Sequence, residues 1–133
     1  MGNEVNSLSP ENLEIAEKAS TAFSNKDASA IFEVYHDTAE IWHNYDNKTL
    51  TVQEAKERVE SVSNSFKEMA FTNVRRFATE KGYVQQHDYA FTHVNGESLS
   101  FPGCQIVTVE DGKISRTEAY LDRAPLNAML SAQ

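Results

Sequence analysis

The sequence predicts an α+β fold: a cone-shaped α+β barrel in which three N-terminal helices pack on a strongly curved, mainly antiparallel sheet. Two observations support this fold class. Apolar residues recur at helical spacing up to about residue 67, and from residue 70 onward their period changes to two. The dipeptides Asn95-Gly96 and Asp111-Gly112 then divide the second half into hairpins. A curved sheet with helices on one face encloses a cavity that suits a ligand.

The first two helices have recognisable starting residues. Residues 10–23 form the first helix, with Ser9 as its cap and Pro10 at the first helical position, where the missing N–H costs no hydrogen bond. Asp27 is a suitable cap for a second, shorter helix that we expect to end near Tyr35. Apolar residues fall on one side of each segment, so both helices have a face to bury.

The third helix begins with a specific signal. Thr51 and Glu54 form a capping box, in which each side chain accepts a hydrogen bond from the other residue's backbone N–H. We expect this helix to run to about residue 67, because apolar residues recur at three- and four-residue steps. These residues are Val52, Ala55, Val59, Val62, Phe66 and Met69.

The first strand is predicted over residues 40–46, between the second and third helices. Strand side chains alternate between the two faces, so Ile41, His43 and Tyr45 share one face and Trp42 lies on the other. If Ile41 marks the buried face, His43 points inward. A buried imidazole can take or give a proton near neutral pH.

Four long strands follow, and turn residues separate them. The dipeptide Lys81-Gly82 ends the first, and Pro102-Gly103 predicts a bulge or kink within the third. After the last strand, Pro125 precedes a short apolar tail. The predicted strands cover residues 71–79, 83–93, 99–109 and 113–122.

Composition limits the partners and the compartment. The 133 residues predict a single domain, 1–133, and the net charge of −8 with scattered basic residues argues against binding to nucleic acid or to anionic membranes. A single cysteine, Cys104, cannot form an internal disulfide. The N-terminus has no signal-peptide pattern, and no apolar run approaches the roughly 20 residues of a membrane helix. We therefore expect a cytoplasmic protein.

Five segments of the chain carry a resemblance to a known family. They end in the motif Asp111-Gly112-Lys113-Ile114 with Glu118-Ala119-Tyr120-Leu121-Asp122, and the earlier ones are residues 31–35, 39–44 and 82–87. In these segments the chain resembles the nuclear transport factor 2-like superfamily, in the branch with SnoaL-like polyketide cyclases, steroid Δ-isomerases and limonene epoxide hydrolase. The resemblance extends from about residue 10 to residue 122. It implies a cone-shaped fold, an enzyme without a cofactor, and a homodimer formed through the sheet.

The resemblance also implies a set of site residues. The catalytic aspartate of the steroid isomerases and the water-holding asparagine of the epoxide hydrolases both correspond to His43, and the second acid of the isomerases corresponds to Gln105 or Cys104. On the last strand, the pocket face carries Thr117, Ala119 and Leu121. The implied substrate-binding residues are Tyr45, Phe66, Gln86, Gln105, Thr117 and Leu121.

His43 and Asp88 are the candidate catalytic residues. If both side chains point into the cavity, the carboxylate fixes the tautomer of the imidazole and raises its basicity, as general-base catalysis requires. The other interpretation is a structural histidine bonded to a backbone carbonyl, with Asp88 on a solvated face.

Other charged residues have simpler interpretations. Glu118 and Asp122 alternate with Arg116 and Tyr120 on one strand face, and two carboxylates at this spacing could serve as acid and base. The resemblance places this row outside the pocket, in a dimer contact. No His or Cys cluster has the spacing of metal ligands, and no glycine-rich loop suits a nucleotide, so we expect neither a metal nor a cofactor.

Two functions remain open from the sequence. The first is an isomerase, cyclase, dehydratase or hydrolase that acts by proton transfer on a small, mostly apolar carbonyl or hydroxyl compound. In it, Gln105 and Gln86 donate hydrogen bonds to a developing oxyanion. The second is a small-ligand-binding or dimerisation module without catalysis. Alanines stand where the related enzymes keep other catalytic groups, at Ala19, Ala90 and Ala119.

Overall fold

The computed structural model describes residues 10–131. Four helices and six strands follow each other along the chain, in the order helix, helix, strand, strand, helix, four strands and helix. They are α1 (Pro10–Ser24), α2 (Ala28–Phe32), β1 (Tyr35–His43), β2 (Lys48–Leu50), α3 (Val52–Ser63), β3 (Phe66–Ala78), β4 (Gly82–His93), β5 (Ser98–Glu110), β6 (Lys113–Leu121) and α4 (Ala124–Ser131).

All six strands belong to one sheet with the order β2-β1-β6-β5-β4-β3. β1 runs parallel to β6, and every other neighbouring pair is antiparallel. The sheet is not closed, because β2 and β3 remain as its two edges. The predicted α+β class, with helices on a mainly antiparallel sheet, is confirmed.

Two of the predicted helix caps are present. The side chain of Asp27 accepts a hydrogen bond from the backbone of Ala30, and Thr51 with Glu54 forms both bonds of the capping box. These caps stabilise the starts of α2 and α3, whose first N–H groups have no partner within the helix. The third predicted cap, Ser9, lies outside the described residues.

Two helix ends differ from the prediction. α2 ends at Phe32, and α3 ends at Ser63 instead of near residue 67. Phe66 and Met69, predicted to be helical, are buried residues of β3 and are 1% and 3% exposed. Their three-residue spacing resembles a helix, but a register shift between Phe66 and Glu68 lets both side chains point to the same face of a strand.

The bulge predicted at Pro102 and Gly103 is not formed. The pairing of β4 with β5 passes through both residues without a register shift, and the irregularity of β5 lies between Thr108 and Val109. Proline is tolerated at this point because β6 pairs with β5 only as far as Gly103. The short strand β2 and the helix α4 were not predicted.

The sheet and the helices enclose two groups of buried residues. One lies beside α1 and contains Ile15, Ala16, Tyr83, Val107 and Ile114. The other is mainly aromatic and includes Phe66, Tyr89, Phe91 and Phe101, with Leu126 of α4 packed against it. Because α4 supplies Leu126, the C-terminal segment helps to cover the concave face of the sheet.

Candidate functional site

A cavity of about 180 Å³ lies between the helices and the concave face of the sheet. Its wall is mainly apolar, and every strand and helix contributes to it. The polar residues in the wall are Tyr35, His43, Tyr45, Arg58, Tyr89, Gln105, Thr117 and Arg123. A few polar groups in an apolar wall can orient a ligand whose body is buried by the rest.

His43, at the end of β1, points into this cavity. Its Nδ1 is buried and has no hydrogen-bond partner within residues 10–131. The imidazole packs against Tyr45, with the ring centroids 5.1 Å apart. Burial, and secondarily the positive charge of Arg58, lowers the pKa of His43 to about 4. The ring is therefore neutral at pH 7 and can accept a proton.

Beside His43, two guanidinium groups meet at one phenol. Nη1 of Arg58 donates to the Tyr45 hydroxyl oxygen at 2.8 Å, and Nη1 of Arg123 donates to the same oxygen at 3.1 Å. The Arg123 guanidinium also lies 5.2 Å from the centre of the Tyr45 ring, in cation-π contact. We call Tyr45, Arg58 and Arg123 the arginine cluster. The Arg58 side chain is 34% exposed, so the cluster lies where the cavity meets solvent.

Two hydroxyl groups lie in the more buried wall. The Tyr35 hydroxyl is 3.0 Å from Oγ1 of Thr117, and the Tyr89 hydroxyl lies near the side chain of Gln105. Burial raises the pKa of both tyrosines above its usual value, so both hydroxyls keep their protons at neutral pH. Each hydroxyl can therefore donate or accept a hydrogen bond in the more buried part of the wall.

The structure brings five of the eight predicted site residues together around the cavity. They are His43, Tyr45, Gln105, Thr117 and Leu121. Phe66 is fully buried in the aromatic core and does not line the cavity. Gln86 and Asp88 also lie outside its wall.

The predicted pair of His43 and Asp88 is not formed. Buried residues of β4 fall at Tyr83, Gln85, His87 and Tyr89, so Asp88 points to the opposite face of the sheet. There its carboxylate accepts a hydrogen bond of 2.7 Å from Nδ2 of Asn73. The aromatic residues at odd-numbered positions of β4 carry the correct signal, because large rings mark the buried face of a strand.

Sequence reasoning missed Arg58 and Arg123. Arg58 had a usable signal, since it lies three residues after buried Ala55 and four before Val62, on the face of α3 that lines the cavity. A charged residue within an apolar stripe is a candidate site residue. Arg123 had no such signal, because its position depends on how the chain turns between β6 and α4.

The charged row of β6 lies on the outer face of the sheet. Arg116 forms ion pairs with Glu118 at 3.1 Å and with Glu40 of β1 at 2.8 Å. On the same face, the rings of Trp42 and Tyr120 pack edge to face, 5.2 Å apart. The charged row therefore forms cross-strand pairs on the outer face of the sheet and does not line the cavity.

Neither a metal-ligand cluster nor a membrane-spanning helix is found in the part of the chain that the structure describes. Among residues 10–131, no three His, Cys, Asp or Glu side chains come close enough to hold one metal ion. The helices within this range are also too short or too polar to cross a bilayer.

The fold is shared with solved structures of low sequence identity. An NTF2-like protein of unknown function from Burkholderia pseudomallei is 17% identical, with a TM-score of 0.77 over 91% of this chain and 98% of that one. TerC, co-crystallized with polyporic acid, is 19% identical, with a TM-score of 0.76 and the same coverage. A candidate SnoaL-like polyketide cyclase from Shewanella denitrificans is 12% identical, with a TM-score of 0.77 over 93% and 99%.

These likenesses define the class as a nuclear transport factor 2-like cone fold. The family model described as SnoaL-like domain matches residues 16–117, well over half of the chain. The chain therefore belongs to the SnoaL-like domain family. No curated protein matches it significantly in sequence.

Proposed function

We propose that residues 1–133 form one SnoaL-like domain whose cavity binds a small, mostly apolar carbonyl or hydroxyl compound and transfers a proton without a cofactor. The observation that carries this proposal is the neutral imidazole of His43 in an apolar cavity, whose buried Nδ1 has no hydrogen-bond partner among residues 10–131. A buried nitrogen without a partner costs stability, and where it faces a cavity a bound ligand can supply the missing hydrogen bond. TerC, which has the same fold, was crystallised with a small molecule.

In the proposed reaction, His43 removes a proton from the carbon next to a carbonyl group. The electron pair of the C–H bond moves toward the carbonyl oxygen, which becomes an enolate, and His43 becomes an imidazolium. Gln105 and the arginine cluster supply N–H donors that can stabilise the negative oxygen. The enolate also offsets the cost of charging His43 in a buried position, because opposite charges lie close together.

A second function, ligand binding without catalysis, is favoured by one observation. Within the described residues, no carboxylate contacts the His43 ring, and a conjugate acid with a pKa of about 4 belongs to a weak base. Binding alone would need the cavity and its polar wall but not the basicity of His43.

Hydrogen exchange of a small ketone separates the two functions. With 2-indanone in D₂O, we expect the protein to accelerate deuterium uptake at the carbons next to the carbonyl, measured by NMR. The variant His43→Gln should lose about 100-fold or more of this acceleration. His87→Gln is the matched control, because His87 is a buried histidine that does not line the cavity. Binding of 2-indanone without exchange would favour the second function.

We further propose a cytoplasmic homodimer formed through the outer face of the sheet. Tyr120 and Ile106 are 41% and 39% exposed on this face, next to Trp42, and exposed apolar residues that cluster together often mark interfaces. Ile106→Glu should lower the mass measured by sedimentation from dimer to monomer. Val94→Glu, at a 59% exposed position in the turn after β4, should leave the mass unchanged.

A further inference from the structure

The arginine cluster has the opposite charge to the molecule as a whole. The chain carries a net charge of −8, yet two guanidinium groups converge on one tyrosine hydroxyl. Among residues 10–131, the carboxylate that forms an ion pair with Arg58 is that of Asp46, at 3.8 Å, near the outer limit of such a contact. Arg123 forms no ion pair within residues 10–131. Like charges held together with so little compensation favour an anion between them.

Both arginines keep hydrogen-bond donors for such an anion. A guanidinium has five N–H groups. Arg58 uses its Nη1 toward Tyr45 and Asp46, and Arg123 uses Nη1 toward Tyr45 and Nε toward Asn127. In the part of the chain that the structure describes, neither Nη2 atom donates a hydrogen bond. Two adjacent guanidinium edges suit the two oxygens of a carboxylate.

The adjoining cavity limits the size of the rest of the ligand. Its volume is about 180 Å³, and its wall next to the arginine cluster includes Val59, Val62 and Leu126. An apolar cavity of about 150 Å³ is enough to hold benzene. The space therefore fits one ring or a short branched chain, with its polar end directed toward the arginines.

We propose that the ligand of this cavity is a small amphiphilic carboxylate, whose anionic group binds Arg58 and Arg123 and whose apolar part fills the cavity. This inference rests on the proposed function, since it assumes that the cavity binds a ligand, and it adds the chemical class of that ligand.

A bound carboxylate would also act on His43. The groups whose charges reach this imidazole are Arg58 and Arg123, which lower its pKa, and Asp46, which raises it. An anion beside the arginines counteracts them, so the bound ligand makes His43 a stronger base. The same guanidinium groups would thus select the ligand, and its binding to them would raise the basicity of His43.

The proposal is tested with two probes of equal size. 4-Ethylbenzoate and its neutral counterpart 4-ethylbenzamide are titrated separately into the isotopically labelled protein, and Kd is measured from NMR shifts of cavity residues. We expect the carboxylate to bind at least about tenfold more tightly at low salt. Arg58→Gln and Arg123→Gln should each remove most of this preference without weakening binding of the amide.

Two controls make the outcome specific. Arg75→Gln removes the same charge at an exposed position of β3 outside the cavity, and should leave the preference unchanged. Lys48→Gln, which removes a positive charge at an exposed position of β2 outside the cavity, should also leave it unchanged. Equal Kd values for the two probes, or an equal loss in Arg75→Gln, would overturn the proposal. A carboxylate preference without any exchange of 2-indanone would support this inference and contradict the proposed catalysis.

Discussion

His43 and His87 are two buried histidines that share their titration behaviour but differ in what surrounds them. Burial is the largest cause of the lowered pKa at both, which is about 4 in each case. Each also has one buried ring nitrogen without a hydrogen-bond partner among the described residues. A comparison of pKa values alone would assign the same role to both.

The surroundings of His87 fix it in place. Gln85 accepts a hydrogen bond from Nε of Arg76 through its amide oxygen, so its amide nitrogen donates to Nδ1 of His87 at 3.0 Å. The ring packs 4.3 Å from Phe71 and 4.7 Å from Tyr89, measured between centroids. With Nδ1 as acceptor, the proton lies on Nε2, which faces packed residues.

His43, in contrast, faces open space and makes no side-chain hydrogen bond to the residues described. The difference teaches that a lowered pKa identifies a buried group and not a site. Access to a cavity distinguishes the two histidines.

The largest expected effect is on proton transfer. His43→Gln should reduce exchange of 2-indanone by about 100-fold or more, whereas His87→Gln should change it by less than about threefold. The rates are compared by NMR at pH 7 with both variants checked for folding by circular dichroism. Equal losses in the two variants would show that the effect is structural and would remove the distinction between the histidines.

We expect His43 and His87 to contribute equally to the pH dependence of stability. The pKa of each imidazole is 6.5 in the unfolded chain and about 4 in the folded protein. Between pH 4 and pH 6.5 the unfolded chain therefore binds more protons than the folded protein. Their contribution to stability is complete above pH 6.5 and is lost as the pH falls toward 4, by at most about 3 kcal/mol for each imidazole. Urea unfolding at pH 7 and pH 4.5 measures the loss.

Each single His→Gln variant should show a smaller loss between the two pH values than the wild-type protein. Carboxylates that titrate in the same range contribute equally to all three proteins, so the difference isolates the imidazole. An unchanged loss in His87→Gln would contradict the neutral, buried state assigned to this ring.

Packing around His87 depends on the absence of a side chain at Gly103. A Cβ at Gly103 would overlap the ring of Tyr89 and approach Nε2 of His87 at 3.2 Å. Because Tyr89 stacks on Phe101, the ring has little room to move. Gly103→Ala should therefore destabilise the protein by about 2 kcal/mol, as overpacking of a core does. A stability equal to the wild type in urea unfolding would mean that His87 lies in looser surroundings.

The smallest effect concerns the helix that carries Arg58. Thr51→Ala removes the side-chain acceptor of the capping box of α3 and should cost about 1 kcal/mol. Because the cap is at the start of α3 and does not contact His87, the substitution should not change the pH dependence of stability that is due to His87. Thr79→Ala, which removes a bond to the backbone of Gly82, offers a control at a turn away from α3.

Local signals explain how much of the fold could be predicted. The capping box of α3 and the glycine turns are formed by residues adjacent in sequence. At the last hairpin, Asp111 and Gly112 both have positive φ values, 51° and 80°, as a type I′ turn requires. The end of α3 was missed because a bulge in β3 gives Phe66 and Met69 a spacing that imitates a helix.

The site was harder to predict because it depends on distant parts of the chain. The inward direction of His43 followed from its alternation with Ile41. The expected pairing of Asp88 with His43 disregarded the aromatic alternation of β4, and the structure places Asp88 outside the cavity. Arg123 reaches Tyr45 only after α4 has folded back over the sheet, so no short-range pattern indicates it.

The parallel pairing of β1 with β6 has a consequence for the order of folding. β3 to β6 are joined by short hairpins, whereas β1 must find a partner more than half the chain away, at Ile41 and Thr117. Closing such a long loop costs entropy before it gains contacts, so we expect the hairpins to form first. Pulse-labelling hydrogen exchange during refolding should protect amides of β4 and β5 before those of β1. The strand that carries His43 would then join the sheet late, and the cavity would form only in the last step of folding.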